Sequence, residues 1–160
     1  MPAMATWDEV TLAAPELAAA VRQRFDAHKH KALATLRQDG SPRISGTEVS
    51  FRDGELWLGM MDQSLKALDL RRDPRLALHN PMLDAEMAEG DAKVAGRAIE
   101  VTDPATKQAQ MTGGEPPDPF HLFRVDVTEL VRITLGGDPP DHLVIESWHE
   151  GAGLKRVERR

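Results

Sequence analysis

The sequence predicts a mainly β domain of the α+β class, a small antiparallel barrel with two or three helices attached. Three observations carry this. Seven or eight short segments read as strands, most clearly where Phe123, Val125 and Val127 alternate with Arg124 and Asp126. Turn signals recur about every 8–12 residues, as in barrels and sandwiches. Two of those turns are the Asp-Gly steps Asp39-Gly40 and Asp53-Gly54, which supply the positive φ that tight hairpins need.

The elements follow in chain order. Pro15 to about His28 reads as a helix, with Pro15 in the first turn and Leu17, Val21 and Phe25 as its apolar stripe. Ala32–Leu36, Arg43–Phe51 and Glu55–Met61 form a three-stranded meander. Gln63–Arg72 reads as a helix that Asp73-Pro74 ends, because a residue before proline avoids the α region. Arg75–His79 is a fourth strand, residues 81–91 an acidic solvated loop, and Lys93–Val101 a fifth strand. Asp103-Pro104 is an N-cap followed by proline, opening a helix to about Met111. Residues 113–119, Gly-Gly-Glu-Pro-Pro-Asp-Pro, exclude regular structure. His121–Val127 and Val131–Leu135 are strand segments. Leu143–Trp148 and Leu154–Glu158 make a last hairpin.

A chain of 160 residues gives one domain. Its expected parts are an N-terminal helical segment over 1–30, the barrel over 31–135 and a C-terminal hairpin over 136–160. The absence of cysteine excludes disulfides, thiolate nucleophiles and zinc–thiolate or iron–sulfur sites. A net charge of −6 argues against a general nucleic-acid binder. No apolar run is long enough to span a bilayer, and the first ten residues have no signal-peptide pattern. The expected location is cytoplasmic, with no membrane or nucleic-acid partner.

Familiar catalytic motifs are missing. There is no Gly-x-Ser-x-Gly elbow, no P-loop and no Gly-x-Gly-x-x-Gly after a strand. The pair His28-x-His30 lacks a partner carboxylate at a metal-site spacing, so no metal is expected. His79 and His149 are read as surface or satisfied histidines. The informative stretch is Ser64-Leu65-Lys66 at the start of a helix that follows a strand. First-turn N–H groups are unpaired and the helix dipole is positive there, so a hydroxyl and an ammonium at that place suit a phosphate.

Four segments together resemble the pyridoxamine 5′-phosphate oxidase-like family, the FMN-binding split barrels, including their flavin- and deazaflavin-dependent reductase branch. They are ALATLRQDGSPRIS, GELWLGMM, SLKALDLRRDPRLAL and AGRAIEVTDP. The resemblance implies a six-stranded antiparallel split β-barrel that pairs into a homodimer with cofactor at the interface. It implies that Ser64 and Lys66 hold the cofactor phosphate. Arg43, Ser45 and Gly46, with Leu58, Gly59 and Met60, would line the ring and ribityl chain. The C-terminal ESWHEGAGLKRVERR resembles the end of the true oxidases, so Trp148 and Arg156 or Arg160 would reach the neighbouring subunit's cofactor.

The chain departs from those oxidases in ways that bear on substrate. Leu65 stands where they have Arg, Ala98 where they have Gln, and Glu158 near where they have His. Their substrate-phosphate helix uses Tyr, and this chain has none. The resemblance therefore implies an oxidoreductase using FMN or the deazaflavin coenzyme, factor 420, on a small conjugated substrate other than vitamin B6. The catalytic residue is not identified. The alternative is a flavin- or haem-binding barrel dimer without redox activity, in which side chains such as Trp57 or Met60 would fill the cleft.

Overall fold

The computed structural model describes residues 5–113, 115, 116 and 118–160. The expectations for the first residues and for 113–119 fall partly outside that range. The helices are α1 (Trp7–Ala13), α2 (Pro15–Asp26), α3 (Leu65–Arg72) and α4 (Pro104–Ala109). The strands are β1 (His30–Leu36), β2 (Pro42–Arg52), β3 (Glu55–Met61), β4 (Arg75–His79), β5 (Asp91–Glu100), β6 (Phe120–Gly136), β7 (His142–His149) and β8 (Gly153–Arg159).

All eight strands form one antiparallel sheet in the order β3-β2-β1-β4-β5-β6-β7-β8. A further pairing of β3 with β6 joins the first six into a closed barrel. The fold is thus mainly β, a six-stranded split barrel with flanking helices. Closure removes the β3 edge that an open sheet would expose, and β8 remains an edge strand. The β7–β8 hairpin extends the sheet beyond the barrel, because β6 outruns β3. Its first half pairs with β3 from Phe120 to Val125, and its second half with β7 from Glu129 to Gly136.

The sequence splits β6 into two segments, and the structure makes it one strand of 17 residues. The cause is a bulge. Gly96 faces Val127 while Ala95 faces Glu129, so Thr128 is the extra residue that breaks the alternation. Gly96 is required there, since a Cβ would lie 2.0 Å from the Asp126 carbonyl oxygen.

The core gathers the inward faces of the barrel and the apolar stripes of α1 and α2. Leu33, Leu56, Leu58, Met60, Val94, Phe123 and Val125 meet Val10, Val21 and Phe25. Within the expected N-terminal helical segment the sequence places one helix, from Pro15, and the structure adds α1 before it, whose signal is present. Thr6-x-x-Glu9 is a capping box, with Glu9 N donating to Thr6 Oγ1 at 3.1 Å and Thr6 N to Glu9 Oε2 at 2.8 Å. Asp103 caps α4 as the sequence predicts, accepting from Thr106 N at 2.9 Å. No helix among the described residues is long and apolar enough to cross a membrane.

Candidate cofactor-binding site

Strand alternation sorts β3 into two faces. Leu56, Leu58 and Met60 point into the core. Trp57, between them, points outward and joins Phe120 and Leu122 in a separate apolar cluster on the outer barrel wall. This cluster floors a groove of about 390 Å³. The outer stretch of β2 from Gly46 to Arg52 forms one side of it. The helix α4 and the segment after it, with Lys107, Gln110, Thr112, Glu115 and Pro116, form the other. A volume of this size is in the range of small-molecule sites.

One end of the groove is the start of α3. The chain turns there through Gln63, at φ 60°, and Ser64 becomes the N-cap. Its hydroxyl makes no capping bond, and Ser64 Oγ is buried with no hydrogen-bond partner among the described residues. A buried hydroxyl left unpaired is costly, so its orientation is not explained by the helix. Lys66 lies beside it, with Nζ donating to the Gly46 carbonyl oxygen at 2.6 Å. Burial lowers the Lys66 pKa, and the charge of Glu48 pulls it back up.

Gly46 and Gly59 both line this groove. A Cβ on Gly46 would meet nothing within 4 Å, and one on Gly59 would meet only Pro116 Cδ at 4.0 Å. Neither glycine is demanded by packing within the chain. Both leave space that a side chain would fill.

The residues singled out by sequence thus divide. Gly46, Gly59, Met60, Ser64 and Lys66 line the groove. Leu58 lies wholly in the core, leaving only its backbone near the groove. Ser45 is on β2 opposite Leu33 and does not line the groove. Arg43 is on the other side of α3, ion-paired to Asp69 at 2.7 Å. Trp148 packs in the core at 7% exposure. Arg156 is on β8, exposed and paired with Glu158 at 3.0 Å, and Arg160 pairs with Asp141 at 3.6 Å. Trp148 and the two arginines do not line the groove of their own chain.

A second, shallower depression flanks α3 on the side away from the groove. It is lined by Arg37, Arg43 and Arg72, with Leu65 and Leu68. At its base Asp69 accepts from Thr35 Oγ1, Arg43 Nε and Arg72 Nη2 at 2.7, 2.7 and 3.1 Å.

Sequence reasoning missed the far end of the groove, where Arg52 and Gln110 meet. It also missed His121. That side chain is 8% exposed, with Nδ1 at 2.9 Å from Glu100 and Nε2 at 3.4 Å from Asp62. Its Nε2 faces Asp62, in the turn before Ser64, without a hydrogen bond among the described residues. His79 contacts its neighbour's carbonyl, and His149 contacts Glu129 at 3.0 Å. No group of three or more His, Asp or Glu is placed to hold a metal among the described residues.

Solved structures share this architecture. An FMN-binding protein related to pyridoxamine 5′-phosphate oxidase from Nostoc punctiforme is 14% identical with a TM-score of 0.62, covering 92% of this chain and 96% of that one. PhzG from Burkholderia lata, solved with tetrahydrophenazine-1-carboxylic acid, is 15% identical with a TM-score of 0.63, covering 96% and 92%. General Stress Protein 26 from Bacillus anthracis is 18% identical with a TM-score of 0.58, covering 87% and 97%. At these identities the likeness establishes the fold. No curated protein is close enough in sequence to count as a relative. The sequence itself matches the pattern of one family over residues 17–133, a span that holds the barrel strands, the Ser64 turn and most of the groove, and by that match the chain belongs to the pyridoxamine 5′-phosphate oxidase family.

Proposed function

We propose that the chain binds FMN in the β2–β3–β6 groove, with the phosphate at Ser64 and Lys66, and acts as an oxidoreductase on a small conjugated substrate. The observation that carries this is the buried, unpartnered Ser64 Oγ beside the Lys66 ammonium at the start of α3. A phosphate oxygen there accepts from the hydroxyl, the ammonium and the free first-turn N–H groups together. Charge-assisted bonds of this kind are about twice as strong as neutral ones.

The rest of the groove fits a flat ring. Trp57, Phe120 and Leu122 give an apolar floor, and Gly46 and Gly59 admit a close approach to the backbone. Trp57 does not fill the cleft: its indole N–H is tied to the Arg52 carbonyl oxygen at 3.0 Å. Met60 is held in the core at 1% exposure. Both placements favour binding over a cofactor-free barrel. Bound FMN would supply two-electron redox chemistry, and the protein would supply position and electrostatics. The flat conjugated acid held by the Burkholderia neighbour supports the substrate class. Vitamin B6 is not the proposed substrate, because the chain has no Tyr to hold its phosphate.

The cytoplasm is the proposed location and a homodimer the proposed assembly, with the groove at its interface. Exposed Ile44, Met61 and Leu65 lie on the elements that form the groove and its phosphate end. Such apolar exposure suits a second copy. In that dimer Trp148 and Arg156 would serve the other subunit's site.

One observation favours factor 420 as a second reading of the cofactor. Arg37, Arg43 and Arg72 lie just across Leu65 from the phosphate end. Arg43 and Arg72 also hold Asp69, and what charge they and Arg37 leave over would suit an acidic chain continuing past the phosphate.

Titration of the purified protein with FMN and with factor 420, read by absorbance, decides between these readings. Micromolar binding of one, lost in Lys66→Ala, supports the assignment and names the cofactor. Binding of neither would leave a non-catalytic or haem-binding barrel.

A further inference from the structure

We propose that His121 is a positioning residue for the phosphate end of the groove: its protonated ring holds the turn before Ser64, and loss of the proton releases that turn and weakens anion binding. This rests on the phosphate assignment to Ser64 and Lys66 argued above, and it adds a pH-dependent control of that site.

His121 lies near the start of β6, opposite Met60. Its ring is buried, and Phe123 stacks on it at 6.2 Å. Nδ1 is 2.9 Å from Glu100 Oε1. An ionised carboxylate only accepts, so Nδ1 carries a hydrogen. Nε2 is buried, has no hydrogen-bond partner among the described residues, and faces Asp62 Oδ1 at 3.4 Å. Glu100 in turn holds Arg71 Nε at 3.0 Å. Among the described residues the charged groups of this network are thus Asp62 after β3, Glu100 at the end of β5 and Arg71 in the last turn of α3.

In the neutral ring the Nε2 lone pair faces a carboxylate, and two acceptors meet in a buried place. In the imidazolium both nitrogens donate, and Nε2–H meets Asp62. Only the protonated ring satisfies both sides. What hangs on Asp62 is the turn Met61–Ser64, closed by Ser64 N donating to the Met61 carbonyl oxygen at 3.2 Å. Gln63 has φ 60° in this turn, a conformation that a residue other than glycine keeps only where its surroundings hold it.

Charge acts in the same direction. With the ring protonated, Arg71, Glu100, His121 and Asp62 balance. Without the proton they carry one net negative charge, and Asp62 is two residues from Ser64. A phosphate at Ser64 and Lys66 is repelled by that charge. Affinity is therefore full in acid and falls as pH rises through the histidine range.

The test measures FMN affinity of the full chain from about pH 5 to 8, by fluorescence quenching, in the parent, His121→Gln and Asp62→Asn. Comparison of parent with variant cancels the ionisation of the phosphate itself and of His30, which also lines the groove. Across this range the parent should lose about fivefold or more in affinity beyond what His121→Gln loses. Asp62→Asn should lose no more than His121→Gln, because an Asn amide donates to a neutral Nε2. Ring nitrogen shifts of His121 should show Nε2 losing its proton over the same interval. By reciprocity, saturating FMN should raise the protonated fraction at fixed pH. A role confined to packing gives all three proteins the same pH profile. That result, or an Nε2 whose protonation stays constant while the affinity changes, overturns the proposal. Circular dichroism melts report folding. Should His121→Gln not fold, Asp62→Asn, at a half-exposed position, takes its place in the comparison. Should FMN not bind, that failure falls on the cofactor reading. The amide shifts of Gln63 and Ser64 in the free protein then decide: they follow the protonation of His121 if the proposal holds, and their indifference to it overturns it.

Discussion

Arg43 Nε lies 2.7 Å from Asp69 Oδ2, so the guanidinium near the start of β2 is turned to α3 and not to the groove. Asp69 is 3% exposed and also receives Thr35 Oγ1 and Arg72 Nη2. Removing the charge strands two cations on a half-buried surface. Asp69→Asn should cost about 2–3 kcal/mol, the low side for a broken buried pair because both arginines keep some solvent. Burial alone would push the Asp69 carboxyl up. The hydrogen bonds from Arg43, Thr35 and Arg72 outweigh it and hold the pKa below the usual carboxylate value. A depressed folded value means the stabilisation is complete above the unfolded value of about 4 and disappears as pH falls through the folded one. Denaturant midpoints of both proteins, followed from neutral pH into acid, should converge at the acid end.

Asp126 predicts the opposite sign. It is 4% exposed, and its Oδ1 has no partner among the described residues. Burial raises its pKa, only partly offset by Arg124. Glu55, which lies within ion-pair distance of Arg124, is raised for the same reason. A raised folded value means stability is fully present below the unfolded pKa and is lost as pH rises through the folded one. Asp126→Asn should therefore be more stable than the parent at pH 7, by about 1 kcal/mol, the scale of an unsatisfied buried polar group. The gain should vanish in acid, and a thermal melt at two pH values checks it.

Ser64 separates stability from binding. An N-cap serine that bonds its helix is worth about 1 kcal/mol. Ser64 makes no such bond. Ser64→Ala should shift the melting temperature by only a degree or two, since about 1 kcal/mol moves a domain of this size by several degrees. The same change should weaken FMN about tenfold, the loss expected for a hydrogen bond to a charged group. A large stability loss with unchanged FMN affinity would assign the hydroxyl to the fold instead.

Most of the barrel was legible because a strand buried on one face writes its period into the sequence, as in β5 and the first half of β6. What hid was non-local. Thr128 breaks the alternation, and nothing nearby in sequence says that Gly96 compensates for it across the β5–β6 pair. The grouping of Ser64 with Lys66 at one end of the groove was legible because they share one helical turn. The contact of Arg52 with the Gln110 main-chain oxygen was not, because the two are 58 residues apart and only the fold joins them. Arg43 is drawn from the groove by Asp69, 26 residues on. Trp148 reads as a site residue or a core residue from sequence alone, and in the chain itself it is core.

Gly46 supplies the sharpest division between what the fold needs and what a ligand needs. Packing explains Gly96, where a Cβ would strike a carbonyl oxygen. Nothing of the kind explains Gly46. It sits mid-strand, where glycine costs about 0.5–1 kcal/mol relative to alanine, and an added Cβ would meet nothing within 4 Å. Gly46→Val should thus leave the barrel as stable as before or raise its melting temperature, since valine favours strands. Lys66 Nζ rests on the Gly46 carbonyl oxygen, so a branched side chain there stands beside the phosphate end. FMN affinity should fall at least tenfold, a loss of about 1.4 kcal/mol or more. Paired melting and absorbance titrations on this one variant read both quantities. A stable barrel that still binds FMN as tightly would place the ring away from Gly46, and a destabilised one would mean the glycine serves the strand.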